Sequence, residues 1–292
     1  MSHNQFTNSR CIAGIIPGVD GEDGAGVKLK RSIGRNPQSR LDPFLMLDAF
    51  STRNPDDYIA GFPAHPHRGF ETVTYMLDGH MIHRDHMGNE GELKAGGVQW
   101  MTAGRGVIHE ERPIAVEGLM RGFQLWINLP SKEKMKPAAY QNITAEEVPR
   151  VVLKNGAVIK LIAGEIEIEG SVYRGPILSE SSAESTQPLY LDVSIPPLAE
   201  MGLPIPAEHN ACIQLFEGEA SVLEDELVVD GVSCLSKGDG VVIATSEQPA
   251  RMLVLAGRPI GEPVAQYGPF VMNTMEEVEQ AINDYRNNCL VE

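Results

Sequence analysis

Thr72-Val73-Thr74-Tyr75-Met76-Leu77-Asp78-Gly79 is an apolar, β-branched run closed by a turn dipeptide, and its ending recurs far downstream. Such a run favours a strand, and Asp-Gly tolerates the backbone of a tight turn. Met76-Leu77-Asp78-Gly79 is echoed by Leu215-Phe216-Glu217-Gly218. Leu93-Lys94-Ala95-Gly96-Gly97-Val98 is echoed by Leu235-Ser236-Lys237-Gly238-Asp239-Gly240 at nearly the same offset. Self-similarity of this kind implies an internal duplication of one β unit.

Outward from this stretch, short apolar or alternating runs lie at 27–30, 44–47, 98–101 and 122–129. A second set follows at 189–193, 211–216, 221–223, 241–244 and 252–255. Turn signals such as Asn89-Glu90-Gly91 and Ala95-Gly96-Gly97 separate them. With 29 glycines and 20 prolines spread over 292 residues, many tight turns between short strands are expected, hence an all-β protein. The division expected is 1–135 for the first unit, 136–187 for a connecting segment contributing to both, and 188–292 for the second unit with a terminal helix. The serine-rich stretch 179–188 reads as the approach to the second unit. Thr274 and Glu277 form a capping box ahead of the apolar stripe Val278, Ala281, Ile282 and Tyr285, which is expected to dock on the first domain. A shorter helix is expected near Thr144, ended by Pro149.

A net charge of −16 argues against direct nucleic-acid binding, because duplex binders neutralise phosphates with clustered Lys and Arg. Cys11, Cys212, Cys234 and Cys289 show no C-x-x-C spacing and read as reduced thiols. The polar N-terminus and the lack of eighteen consecutive apolar residues lead to an expectation of a cytoplasmic protein, or a nuclear one in a eukaryote, without a membrane role. A monomer is expected.

His65 and His67 are one residue apart, as are His109 and Glu111. Alternate side chains of a strand share a face, so two such strands facing each other would converge three imidazoles and one carboxylate on one point. This donor set suits iron, manganese, copper or nickel and argues against a structural cysteine zinc centre, although cobalt and zinc can occupy such sites. Glu71, four residues after His67, competes with Glu111 on strand parity alone. His3 and His209 read as isolated core or surface residues, and His80, His83 and His86 as a polar hairpin tip. Gln124 and Trp126 share parity on a strand and are candidates, with Glu71, for the pocket or for supporting the ligands, though Trp126 fits core packing equally well. In the second copy Pro204 and Pro206 fall at the places of His65 and His67, and Arg251 and Leu253 at those of His109 and Glu111, so that unit is expected to hold no metal.

Four segments carry a resemblance: His65-Pro66-His67-Arg68-Gly69-Phe70-Glu71-Thr72-Val73, Gln99-Trp100-Met101-Thr102-Ala103-Gly104-Arg105-Gly106, Gly122-Phe123-Gln124-Leu125-Trp126-Ile127-Asn128-Leu129-Pro130 and Gly268-Pro269-Phe270-Val271-Met272-Asn273-Thr274. Together they resemble the signature segments of the pirins, a bicupin branch of the cupin superfamily, from about residue 32 onward. The resemblance implies two cupin-type β-barrels with metal only in the first, and carries the pirin ligands onto His65, His67, His109 and Glu111, leaving Glu71 aside. Glu110 departs from the small residue common between the last two ligands. Pirins are similar to quercetin 2,3-dioxygenases, so the resemblance implies an iron(II)-dependent dioxygenase acting on a flavonol or a related enol or phenol, with Glu111 also serving as the base. Some pirins instead act as nuclear cofactors of transcription factors, with the oxidation state of the metal as the switch. A redox-sensitive regulator that binds a protein partner is therefore the rival reading.

Overall fold

The computed structural model describes residues 6–115, 118–177 and 185–292; residues 179–184 of the serine-rich stretch lie outside them. Two compact units are present, each assembled from separated pieces of chain. Val19–Arg40, Phe44–Ala145 and Ile260–Glu292 make the unit that carries the paired histidines, and Met1–Gly18, Leu41–Pro43 and Glu146–Pro259 make the other. Among the described residues the strand ladders of both are antiparallel, as expected where glycine-rich turns join short runs, and parallel pairing is confined to isolated bridges. Among the described residues no helix is long and apolar enough to cross a membrane.

The histidine-bearing unit contains a seven-stranded and a four-stranded sheet. The large sheet runs in the order Ala139–Ile143, Val98–Thr102, Phe70–Asp78, Met120–Asn128, Phe44–Thr52, Val27–Arg31 and Val19–Asp23. The small sheet runs Phe62–His67, Val107–Pro113, His80–Asp85 and Glu90–Lys94. The expected barrel is therefore a sandwich of two sheets whose hydrogen bonding follows open paths. Val27, Leu29, Phe50, Met76 and Met120 of the large sheet pack with Met81 and Leu93 of the small one, filling part of the interior with apolar side chains.

In the other unit one nine-stranded sheet supplies the fold. Its long strands Asn210–Val222 and Gly240–Gly257 shift register between Leu215 and Glu217 and again between Gly218 and Ala220, and such bulges bend a sheet. Residues on both sides of the bend, Ile213 and Leu215, Val222 and Ile243, then share one aliphatic core with Leu161, Val193 and Val254. Leu253, at an echoed ligand position, is fully buried, and Arg251 is held by Asp192 at 3.0 and 2.6 Å. Cys212 and Cys234, far apart in sequence, lie directly opposite one another on paired strands as free thiols. Burial, and secondarily Cys234, pushes the Cys212 thiol up from its ordinary range.

The terminal helix spans Met275–Arg286 with Thr274 and Glu277 forming the reciprocal cap. Val278 and Ala281 are buried against Phe270, Met272 and Leu290, with Ile282 packed at the edge and Tyr285 more exposed. No helix forms near Thr144. Residues 145–147 make a turn between the strands Ala139–Ile143 and Arg150–Val152, too short a span to repay the cost of nucleating a helix.

The chain passes from the small sheet to the large one through Arg68-Gly69. Gly69 has φ +91°, and a Cβ there would lie 1.9 Å from the Val271 carbonyl oxygen. Lys134, almost inaccessible to water, donates to the carbonyls of Gly69 (2.8 Å) and Val271 (3.0 Å) and to Asn128 Oδ1 (2.7 Å). Gly69→Ala is thus expected to cost at least about 2 kcal/mol, from the strained backbone together with the carbonyl clash. Urea unfolding of the variant checks this, and a midpoint equal to the parent's would refute the proposed constraint.

Candidate functional site

Strand geometry delivers the three histidines. His65 sits directly opposite His109, and His67 opposite Val107, across the pairing of Phe62–His67 with Val107–Pro113. The pairing shifts between His109 and Glu111, where one extra residue lies on the partner strand, while His109 and Glu111 keep their shared parity against His80–Asp85. One ring nitrogen from each of His65, His67 and His109 falls in a group whose atoms lie within 4.8 Å of one another. His65 Nε2 and His67 Nε2 are 3.0 Å apart. His65 Nδ1 lies 2.9 Å from the Pro63 carbonyl, which it can serve as donor, leaving Nε2 to face the cluster. His109 Nε2 is buried without a hydrogen-bond partner.

This donor set fits a cation. Lone pairs brought this close repel, and a metal ion relieves that repulsion while using the same lone pairs. Burial, reinforced by the neighbouring imidazoles, holds both His67 and His109 well below the usual histidine range, so both are neutral at pH 7. Neutral imidazole is the form that ligates metals. The Pro269 backbone carbonyl lies beside the His67 ring without hydrogen-bond geometry and only partly opposes the effect.

Glu111 lies outside the three-imidazole group. Its buried carboxyl is held by Gln124 Nε2 at 3.2 and 3.4 Å and by Thr74 Oγ1 at 3.3 Å. Burial raises its pKa; the electrostatic influence of the neighbouring His65 ring and the hydrogen bonds from Gln124 and Thr74 oppose this, while Asp23 adds to it. Trp126 Nε1 donates to Gln124 Oε1 at 3.3 Å, and its ring stands edge-on to His67 with centroids 5.3 Å apart. Gln124 and Trp126, with His65, His67 and Phe62, line a cavity of about 470 Å³.

Glu71 lies elsewhere. The turn at Gly69 ends the small-sheet strand, so parity does not carry from His67 to Glu71. In the large sheet Thr72 pairs with Trp126 and Thr74 with Gln124, whereas Glu71 pairs with Thr102 and faces the opposite side. There Thr102 Oγ1 donates to it at 2.6 Å and Lys136 Nζ stands 3.6 Å away.

The polar stretch 80–86 is not a hairpin tip but for its end. His80–Asp85 is a strand paired on both sides, with Met81 and His83 buried and Arg84 exposed; only His86 reaches the exposed turn. His83 Nε2 is 2.7 Å from His109 Nδ1. If His109 offers Nε2 to a metal its Nδ1 carries hydrogen and donates to His83, which fixes ring and tautomer. Sequence reading missed His83. The Met81/His83 alternation was the available signal, masked by the polar neighbours.

Residues 26–127 match the family model described as Pirin, and residues 190–291 the model described as Pirin C-terminal cupin domain. The chain belongs to the pirin family. A Pseudomonas aeruginosa protein named "Putative quercetin 2,3-dioxygenase" is 48% identical over 288 residues, covering 98% of this chain and 99% of that protein. Human pirin is 40% identical over 272 residues, covering 91% and 88%. A solved quercetin 2,3-dioxygenase structure from Acinetobacter baumannii matches with TM-score 0.86 at 33% identity, covering 97% of this chain and all of that one. The two units of this pirin are thus cupin domains, and its histidine cluster stands in the first.

Burial lifts the Glu71 carboxyl from 4.5 to about 7, against the opposing charge of Lys136 and the Thr102 hydrogen bond. The folded state therefore holds a proton that the unfolded chain releases near 4.5, so this group's contribution to stability falls as pH rises from about 4.5 to 7. Glu71→Gln is expected to flatten the decline of urea stability across that window. The same slope in parent and variant would contradict the assignment.

Proposed function

We propose that this pirin is a metal-dependent dioxygenase of the quercetin 2,3-dioxygenase type, acting on a flavonol or a related enol or phenol. The observation that carries this reading is the buried, unpartnered His109 Nε2 grouped with two further imidazoles on a cavity large enough for a small aromatic molecule. His65, His67, His109 and Glu111 would hold the ion, with iron(II) as the expected metal. When bound, such a metal supplies Lewis acidity toward an enolic oxygen and redox access to dioxygen.

The remaining chemistry belongs to the side chains. Trp126, Phe62, Leu45 and Met46 give the cavity an apolar part against which a planar ring can pack. Glu111, whose raised pKa suits a base and whose oxygens accept from Thr74 and Gln124, would take the proton of an enolic hydroxyl. Gln124, held in turn by Trp126, keeps that carboxyl oriented.

Metal occupancy tests the ligand set. Glu111→Gln is expected to weaken metal retention and abolish turnover, Glu71→Gln to retain the metal, and His83→Ala to lower metal affinity by about ten- to a hundredfold through loss of the hydrogen bond to His109. Elemental analysis after dialysis against a graded chelator reads all three, and a Glu71→Gln protein that empties while Glu111→Gln stays full would reverse the assignment.

Oxygen uptake separates enzyme from regulator. The iron-loaded protein is expected to consume oxygen and open the flavonol ring of quercetin, and His109→Ala to stop it. A folded, iron-loaded protein inert toward quercetin and simple enols, yet binding a protein partner differently in its iron(II) and iron(III) forms, would favour the redox switch.

A further inference from the structure

The inner face of the large sheet carries a polar row that the chemistry above uses only in part. Thr74 pairs with Gln124, Gln124 with Asp48, and Asp48 with Arg31, one residue from each of four adjacent strands. Directly paired residues of antiparallel strands share a face. Thr74 and Gln124 hold Glu111 at one end of the row. At the other end Asp48, only 3% exposed, grips Arg31 through Nε at 2.7 Å and Nη2 at 2.6 Å. Neighbouring strands lie about 4.8 Å apart, so the backbones of Gln124 and Arg31 are separated by about 10 Å, on the scale of a fused ring system bearing a pendant ring.

Arg31 and Asp23 both line the cavity that His65 and His67 line. Asp23 accepts from Arg31 Nη2 at 2.6 Å through Oδ2 and from the Gly24 backbone at 2.7 Å through Oδ1, and its side chain is about half exposed. Among the described residues Arg31 Nη1 makes no hydrogen bond. The cluster holds two carboxylates for one guanidinium, so a ligand anion meets net repulsion there. A hydroxyl group suits it better, because it can donate to Asp23 and accept from Nη1. Asp48 fixes the guanidinium beforehand, so little side-chain freedom is lost on binding.

We infer that Asp23 and Arg31 form the specificity end of the cavity and select planar ligands that carry neutral hydroxyl groups on the ring remote from the imidazoles. This inference rests on the flavonol reading of the site but does not need turnover. Calorimetric titration of the metal-loaded protein with quercetin, and with galangin, the same flavonol lacking the hydroxyls on its pendant ring, tests it. Quercetin is expected to bind about tenfold or more tightly than galangin, as loss of a hydrogen bond to a charged group implies. Asp23→Ala is expected to erase that preference by weakening quercetin alone. Its side chain is exposed and Arg31 keeps Asp48, so the variant should fold; metal content and thermal midpoint matching the parent verify this. Equal affinities in the parent, equal weakening of both ligands in the variant, or no binding of either overturns the inference. Selective binding without oxygen uptake upholds it and rejects the dioxygenase, whereas ring opening of both flavonols with no selectivity rejects it and keeps the enzyme.

Discussion

A lysine ammonium sealed from water organises the histidine-bearing domain. Lys134 has three N–H groups and finds three acceptors, the carbonyls of Gly69 and Val271 and the amide oxygen of Asn128. Burial pulls its pKa down to about 8, and a buried charge is tolerable only when its hydrogen bonds are complete. Every acceptor is on a different segment. The ammonium therefore ties the strand Met120–Asn128, the crossing between the two sheets and the short strand Phe270–Met272 to one point, immediately after the residue that ends the first ligand-bearing strand.

Arg68 extends the knot. It bonds the Arg105 carbonyl, pairs with Asp284 at 2.6 Å and donates to the Leu290 carbonyl at 3.1 Å, while the Gly69 amide donates to Gly104. His67 precedes this assembly and Phe70, whose ring stacks near Trp126 at 4.3 Å, follows it. The imidazoles are thus placed by backbone locked on both sides of the turn, as a preorganised centre requires.

What could be read in the sequence was what alternation encodes locally. Two-residue spacing placed His65 and His67 on one face and His109 and Glu111 on another, and the structure brings the three imidazoles together. The capping box at Thr274 was equally local and marked the helix. Parity failed where the backbone turned: a left-handed glycine at 69 separates Glu71 from the strand of His67. His83 was hidden because its strand is polar on the exposed face and only Met81 hinted at the buried one. The row from Thr74 to Arg31 needs the register of four strands, and Cys212 opposite Cys234 needs that of two more. No spacing in the chain records either.

The division of the chain also orders its synthesis. A chain growing from its N-terminus completes Glu146–Pro259, and already holds the short pieces that accompany it, before Ile260–Glu292 exists. Domains close as units once their residues are available. The histidine-bearing domain, begun first, must wait for Val271 to meet Lys134 and for Asp284 and Leu290 to meet Arg68. Its four prospective ligands emerge from the ribosome long before the last supports of their scaffold, so a metal met during translation would find the donors before the backbone that positions them is complete.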